Sequence, residues 1–180
     1  AQQWPNYIVL LKGLTGPVTW EQLAGGTVAP PDDPPPPDDP DDPPPAGEPG
    51  RVFTSTAWGD TLTGTAGDDT LNAGQGPDRL TGADGADRFV FAQPVWNPGQ
   101  ITDFSPGADR LDVSRLLDQA GYAGSDPLGD GWLILRAQSS GTEVVIDMDG
   151  PDVSGDWPIT LTTLLGVTPA DLAGRDWLVG

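Results

Sequence analysis

Apolar and polar positions alternate with an unusual long period in the middle of this chain. Leu62, Leu71, Leu80 and Phe89 recur every nine residues, and their immediate neighbours are mostly polar: Thr61 and Thr63, Thr70 and Asn72, Arg79 and Thr81, Arg88. A single inward residue between two outward ones predicts a strand of about three residues. The six residues before each strand are rich in Gly, Asp, Ala and Thr and predict a tight turn, with glycines Gly67, Gly76 and Gly85 at the fourth position of the turn. Repetition of strand and turn stacks the four apolar residues into a narrow core.

A second series runs in step with the first. Asp60, Asp69, Asp78 and Asp87 each stand two residues before the apolar position. The units read STAWGDTLT from Ser55, GTAGDDTLN from Gly64, AGQGPDRLT from Ala73 and GADGADRFV from Gly82. One Gly-x-x-Asp would be an ordinary turn, but four phased copies are not. In the first unit Trp58 replaces the turn glycine, and it is expected to cover the open N-terminal end of the stack.

Each unit approximates G-G-x-G-x-D-x-U-x, with U a large apolar residue, and so resembles the calcium-binding nonapeptide repeat of the repeats-in-toxin (RTX) family. The resemblance implies a parallel β-roll in which two units make one coil. Asp60 then lies over Asp78, and Asp69 over Asp87, at about the 5 Å interstrand spacing. Two bare carboxylates that close repel by roughly 3 kcal/mol at an effective dielectric near 20. Paired carboxylates, with the turn carbonyls of Gly67, Gly76 and Gly85, make an all-oxygen donor set suited to Ca²⁺. About two ions are expected in the roll.

Flanking patterns extend the picture. After the repeats come Phe89–Phe91, Ile101–Phe104, Gly107–Ser114 and Leu116-Leu117, a "DF…GxDxLDVS" run similar to the segment that follows the repeats in type I secreted members of the family. The resemblance implies that it continues and caps the roll. Asp103, Asp109 and Asp112 match its pattern, and either calcium ligation or turn and cap formation accounts for them. Trp132–Arg136 and Thr142–Met148 predict a hairpin turning at Ser139–Gly141, and Ile159–Leu165 predicts a third strand. The tail Asp176–Gly180 is similar to the family's uncleaved C-terminal secretion signal.

Upstream, Pro30–Gly50 is a Pro/Asp tract that cannot bury a core and favours extended polyproline II, spanning up to about 65 Å. Before it, the apolar run Ile8, Val9, Leu10 and Leu11 predicts a strand too poorly supported by its neighbours to fold alone. It therefore needs a partner surface, either within its own chain or on another copy. The expected organisation is a strand arm over 1–29, a linker over 30–50, the roll over 51–92 and a C-terminal capping and secretion region over 93–180. The fold class is all-β: a short parallel β-roll continued by antiparallel structure.

Composition narrows the function. The chain has 27 acidic and 8 basic side chains, a net charge of −19, which disfavours nucleic acid and anionic membranes as partners. With no His and no Cys, zinc, copper and iron sites, disulfides and the usual bases and nucleophiles are unsupported, so no enzyme activity is expected. No run is long and apolar enough to span a membrane. Asp147 and Asp149 could serve glycoside chemistry, but their place before Gly150-Pro151 suits a turn better. Seven tryptophans hint at sugar stacking, yet Trp132 and Trp157 serve as readily in a core, and carbohydrate binding is disfavoured. Two readings follow: an extracellular calcium-folded structural protein that assembles with copies of itself through Ile8–Leu11, or the C-terminal calcium-folding and secretion module of a larger adhesin, toxin or protease.

Overall fold

The structure, a computed structural model, describes residues 49–151 and 158–180. The arm at Ile8–Leu11, nearly all of the Pro/Asp tract and Trp157 lie outside the described residues.

Two sheets face each other across one core. The first is wholly parallel and runs in the order β1 (Val52–Thr54), β3 (Thr70–Ala73), β5 (Arg88–Phe91), β7 (Arg110–Asp112) and β11 (Leu178–Val179). The second runs β2 (Thr61–Thr63), β4 (Arg79–Thr81), β6 (Gly99–Ile101), β10 (Ile159–Leu165), β9 (Gly141–Ile146) and β8 (Leu133–Gln138). Its first four strands are parallel and its last three antiparallel. From β1 to β7 the chain alternates between sheets at each turn, so strands two apart in sequence are neighbours in space. This is the β-roll that the resemblance to the nonapeptide repeat implied.

Register follows the apolar column. Phe53 pairs with Leu71 and Leu71 with Phe89; on the other sheet Leu62 pairs with Leu80. The column continues past the repeats, Leu80 beside Ile101 and Phe89 beside Leu111. Here the coil lengthens from 18 residues to 21 and 22, and the extra residues loop outward without breaking the stack. Leu71, Leu80, Phe89, Ile101 and Leu111 are all essentially inaccessible to water. Each such side chain is worth about 1.5–3 kcal/mol of burial. Phe104 and Trp177 close the far end with tilted and edge-to-face ring contacts at 5.9 and 6.4 Å.

Three differences from the sequence reading have physical causes. The N-terminal end is not covered by Trp58, which is 74% exposed on its turn and packs edge-on against the equally outlying Trp96 at 6.3 Å. A further coil precedes it instead. β1 supplies Phe53 to the apolar column, and Arg51 stands where the motif calls for aspartate, which hid this unit from the period. Leu116-Leu117 belongs to a helix, α1 (Ser114–Ala120), that buries both leucines and ends at Gly121 with φ 80°. Finally, the hairpin turns on Ser139-Ser140, because Gly141 already pairs with Gln138.

Candidate metal centre

The aspartates of the repeats form a hydrogen-bonded ladder along the turns. Stacking puts the carboxylate of one unit beneath the backbone amide of the aspartate one coil earlier. Asp60 N donates to Asp78 Oδ1 at 2.9 Å, Asp69 N to Asp87 Oδ1 at 2.9 Å and Asp87 N to Asp109 Oδ1 at 3.0 Å. Arg51 N begins the series by donating to Asp69 Oδ1 at 2.6 Å. The pairs expected from the sequence are therefore adjacent, Asp60 with Asp78 and Asp69 with Asp87. Their contact is carboxylate to amide and not carboxylate to carboxylate.

The second oxygen of each carboxylate usually closes its own turn. Thr56 N donates to Asp60 Oδ2 at 2.7 Å, Thr65 N to Asp69 Oδ2, Gly74 N to Asp78 Oδ2 at 2.8 Å and Ser105 N to Asp109 Oδ2 at 2.8 Å. Hydroxyls add to this: Thr56 and Thr65 on their own aspartates, and Ser55 on Asp78 at 2.9 Å. Asp109 thus belongs to the ladder, although its unit lies outside the four repeats.

Asp87 is the exception. Its Oδ2 is buried and has no hydrogen-bond donor. Burial pushes the carboxyl up to about 6, and the nearby carboxylates of Asp109, Asp69 and Asp103 add to the rise. Burial also raises Asp109, with Asp103 contributing. Asp69 behaves in the opposite way: burial pushes it up, but the Thr65 and Arg51 amides outweigh that and hold it low. Asp60 is held low by the Thr56 hydroxyl and amide.

A buried carboxylate oxygen without a donor, among three other carboxylates, is a position that a cation satisfies. The donors are all oxygen, which fits Ca²⁺ and not a thiolate- or imidazole-seeking metal. Gly82 makes room for the carboxylate itself, since a Cβ there would overlap Asp87 Oδ2. Gly85, at φ 120°, lets its turn lie against the Gly67 carbonyl one coil away. Gly76 O, another expected ligand, accepts the Asp78 amide at 2.9 Å.

Residues 59–90 match the family model described as the RTX calcium-binding nonapeptide repeat, in four copies. This segment is an RTX repeat array. No curated protein matches the chain. Among solved structures, the chain is similar to the AlgE6R3 subunit of the Azotobacter vinelandii mannuronan C5-epimerase, at 25% identity over 74% of this chain and 79% of that one, with a TM-score of 0.43. It is also similar to the AlgE6R2 subunit of the same epimerase, at 24% identity over 73% and 92%, with a TM-score of 0.47.

RTX nonapeptide repeats are calcium-binding, and Ca²⁺ is the cofactor of this array. The donor set and the open Asp87 oxygen fit that ion. Among the described residues, no three acidic side chains converge as a ready-made cage. Carboxylates of Asp69, Asp87 and Asp109, together with turn carbonyls such as Gly67 O and Gly85 O, are the groups that would hold it in one column of turns, with Asp60 and Asp78 in the other. Calcium there supplies fixed positive charge that offsets the buried carboxylates.

Two expected ligands have other partners. Asp112 Oδ2 accepts Arg88 Nη2 at 2.6 Å and Nε at 3.0 Å, while Oδ1 accepts the Ser114 hydroxyl at 2.7 Å and amide at 3.0 Å. Burial raises its carboxyl, but these bonds prevail and hold it low, so Asp112 ties the roll to the start of α1. Asp103 is exposed and reaches back over the turn that precedes Asp87, accepting from Gly82 N and Ala83 N. Sequence reasoning missed this arrangement because it depends on the three residues inserted into that coil.

Proposed function

We propose that this is an extracellular structural protein whose RTX array folds when it meets calcium outside the cell. The observation that carries the reading is the buried, donorless Oδ2 of Asp87 within the aspartate ladder. A net charge of −19 supports it, since self-repulsion opposes compaction until cations bind. Sites with affinities like those of extracellular modules, roughly 0.1–1 mM, stay empty in cytosol and fill outside. At calcium about 100 times the dissociation constant, each filled site adds about 2.7 kcal/mol, a large share of a domain's stability. Among the described residues, no helix is long and apolar enough to cross a membrane.

Catalysis is not part of this reading. Asp147 and Asp149, at the end of β9, are hydrogen-bonded to each other, and burial with that contact raises the Asp147 carboxyl. Carboxyls in contact cannot flank a glycosidic bond, which needs about 5 Å or more between them.

Assembly with other copies is the finer part of the proposal. The run Ile8–Leu11 is apolar and precedes the Pro/Asp tract in the sequence, and among the described residues each sheet ends in edge strands, β1 and β11 on one and β2 and β8 on the other. Strand addition would satisfy the main-chain groups of such an edge. Negative-stain microscopy of the whole chain, with calcium and with EGTA, tests both parts. Ordered polymers in calcium that vanish when residues 1–29 are deleted support assembly. A deleted chain that polymerises equally well refutes it, and full β structure by circular dichroism in EGTA refutes calcium-driven folding.

A further inference from the structure

The ladder has one irregular rung, and its cause lies outside the repeats. At Asp60, Asp69, Asp78 and Asp109, Oδ2 takes the amide of the residue four positions earlier. In the Asp87 unit that residue is Ala83. Its amide turns away and donates to Asp103 Oδ2 at 2.9 Å, while Gly82 N donates to Asp103 Oδ1 at 3.0 Å. The turn requires φ 72° at Ala83, the one non-glycine at positive φ among the described residues. Asp87, only 1% exposed, is left with Oδ2 unpartnered.

We propose that Asp103 is a positioning residue that draws the Ala83 amide away from Asp87, and that Asp87 Oδ2, so held open, is the position calcium occupies first and most tightly. The inference rests on the calcium reading of the array and specifies which oxygen the ion meets. At the other rungs a cation competes with an amide already bonded to Oδ2. At Asp87 no amide is displaced. One hydrogen bond to a charged group corresponds to about tenfold in equilibrium. Both Asp103 oxygens are occupied by amides, so it positions the Ala83 turn and otherwise acts on Asp87 only through its charge, the effect for which a neighbouring carboxylate serves as control.

The design can be reversed by one substitution. In Asp103→Asn the side-chain carbonyl still accepts Gly82 N, but its NH₂ cannot accept Ala83 N. That amide is released to Asp87, as at the other rungs, and the fold survives with a closed site. Calorimetric titration of the full chain with CaCl₂ reads the tightest binding step, and circular dichroism reads the calcium midpoint of folding. Asp84→Asn, an exposed carboxylate in the same turn, controls for loss of one charge.

The expected result is a tightest step weakened about tenfold by Asp103→Asn and by less than about threefold by Asp84→Asn. Because Asp103 acts through Asp87, the double variant Asp87→Asn/Asp103→Asn should bind no more weakly than Asp87→Asn alone. Additive losses, equal effects of Asp103→Asn and Asp84→Asn, or an Asp103→Asn chain that stays unfolded at saturating calcium would each overturn the inference. A wild-type chain that binds no calcium sinks the calcium reading itself, and this inference with it. Calcium binding with an Asp103→Asn titration like that of Asp84→Asn sinks this inference alone.

Discussion

Gly82 lies directly against the Asp87 carboxylate, so that a methyl group on Gly82 would overlap Oδ2 and press on the Phe89 ring behind it. The only side chain that fits is none at all, and the space it leaves is filled by the one carboxylate oxygen in the ladder that lacks a donor. Gly82→Ala should therefore displace Asp87, costing about 1–3 kcal/mol by overpacking and raising the calcium midpoint of folding. Gly107→Ala, with open space at its Cβ position, is the control and should change either by little. Urea unfolding at fixed calcium measures the first quantity. Equal effects at both glycines would refute the assignment.

Ala83 offers a change in the opposite direction. An alanine at φ 72° is strained by about 1–2 kcal/mol relative to glycine, which adopts that conformation freely. Ala83→Gly should stabilise the calcium-loaded protein by up to about 1 kcal/mol, after the extra entropy of a glycine in the unfolded chain is subtracted. A higher unfolding midpoint at saturating calcium is the expected outcome.

The ladder predicts a clear ranking among aspartates. Asp78→Ala removes the acceptor of Asp60 N, Gly74 N and the Ser55 hydroxyl together. Unfulfilled donors of that kind cost about 1–3 kcal/mol. Asp32→Ala, in the Pro/Asp tract, should stay within about 0.5 kcal/mol. If the two substitutions shift the calcium midpoint equally, bulk charge governs the response and site geometry does not.

Acidity should act in two directions. Asp87 is raised to about 6 in the folded state against an ordinary 3.8, so the folded form holds its proton more tightly. For calcium-free protein this contributes stability that is present at low pH and is lost as pH rises through about 6. Lowering pH from 7 to 5 without calcium should thus shift the balance toward the folded form, read as a partial gain of β signal by circular dichroism. With calcium present the proton competes for the same carboxylate, and the calcium midpoint should rise over the same interval. Below about 3.8, Asp69 and Asp112, both held low, become protonated and withdraw their own support.

Magnesium should substitute poorly. It demands six short contacts and sheds its water reluctantly, whereas stacked turns provide spaced carboxylates and carbonyls. Tryptophan emission titrated with MgCl₂ should show little of the blue shift that CaCl₂ produces.

The sequence by itself determined the roll, because both of its signals are local and periodic. An apolar residue every nine positions, preceded by aspartate and glycine, is satisfied by short strands stacked in register, and the resemblance of the units to the RTX nonapeptide implies the two-unit coil and its calcium chemistry. Ile159–Leu165 was equally legible, as a strand of continuous apolar and β-branched residues. What the sequence could not decide depended on insertions and on side chains meeting across coils. The first coil stayed hidden because Arg51 replaces the aspartate while its amide still joins the ladder. Asp109 falls into line only because the extra residues of its coil loop outward, and Asp112, one residue past the apolar Leu111, pairs with Arg88, which the nine-residue pattern places facing water. Whether a carboxylate is open or closed rests on where a single amide points. For Asp87 that is settled by Asp103, whose distance along the chain departs from the repeat. Periodicity specifies the stack, but the free oxygen within it is a property of tertiary structure alone.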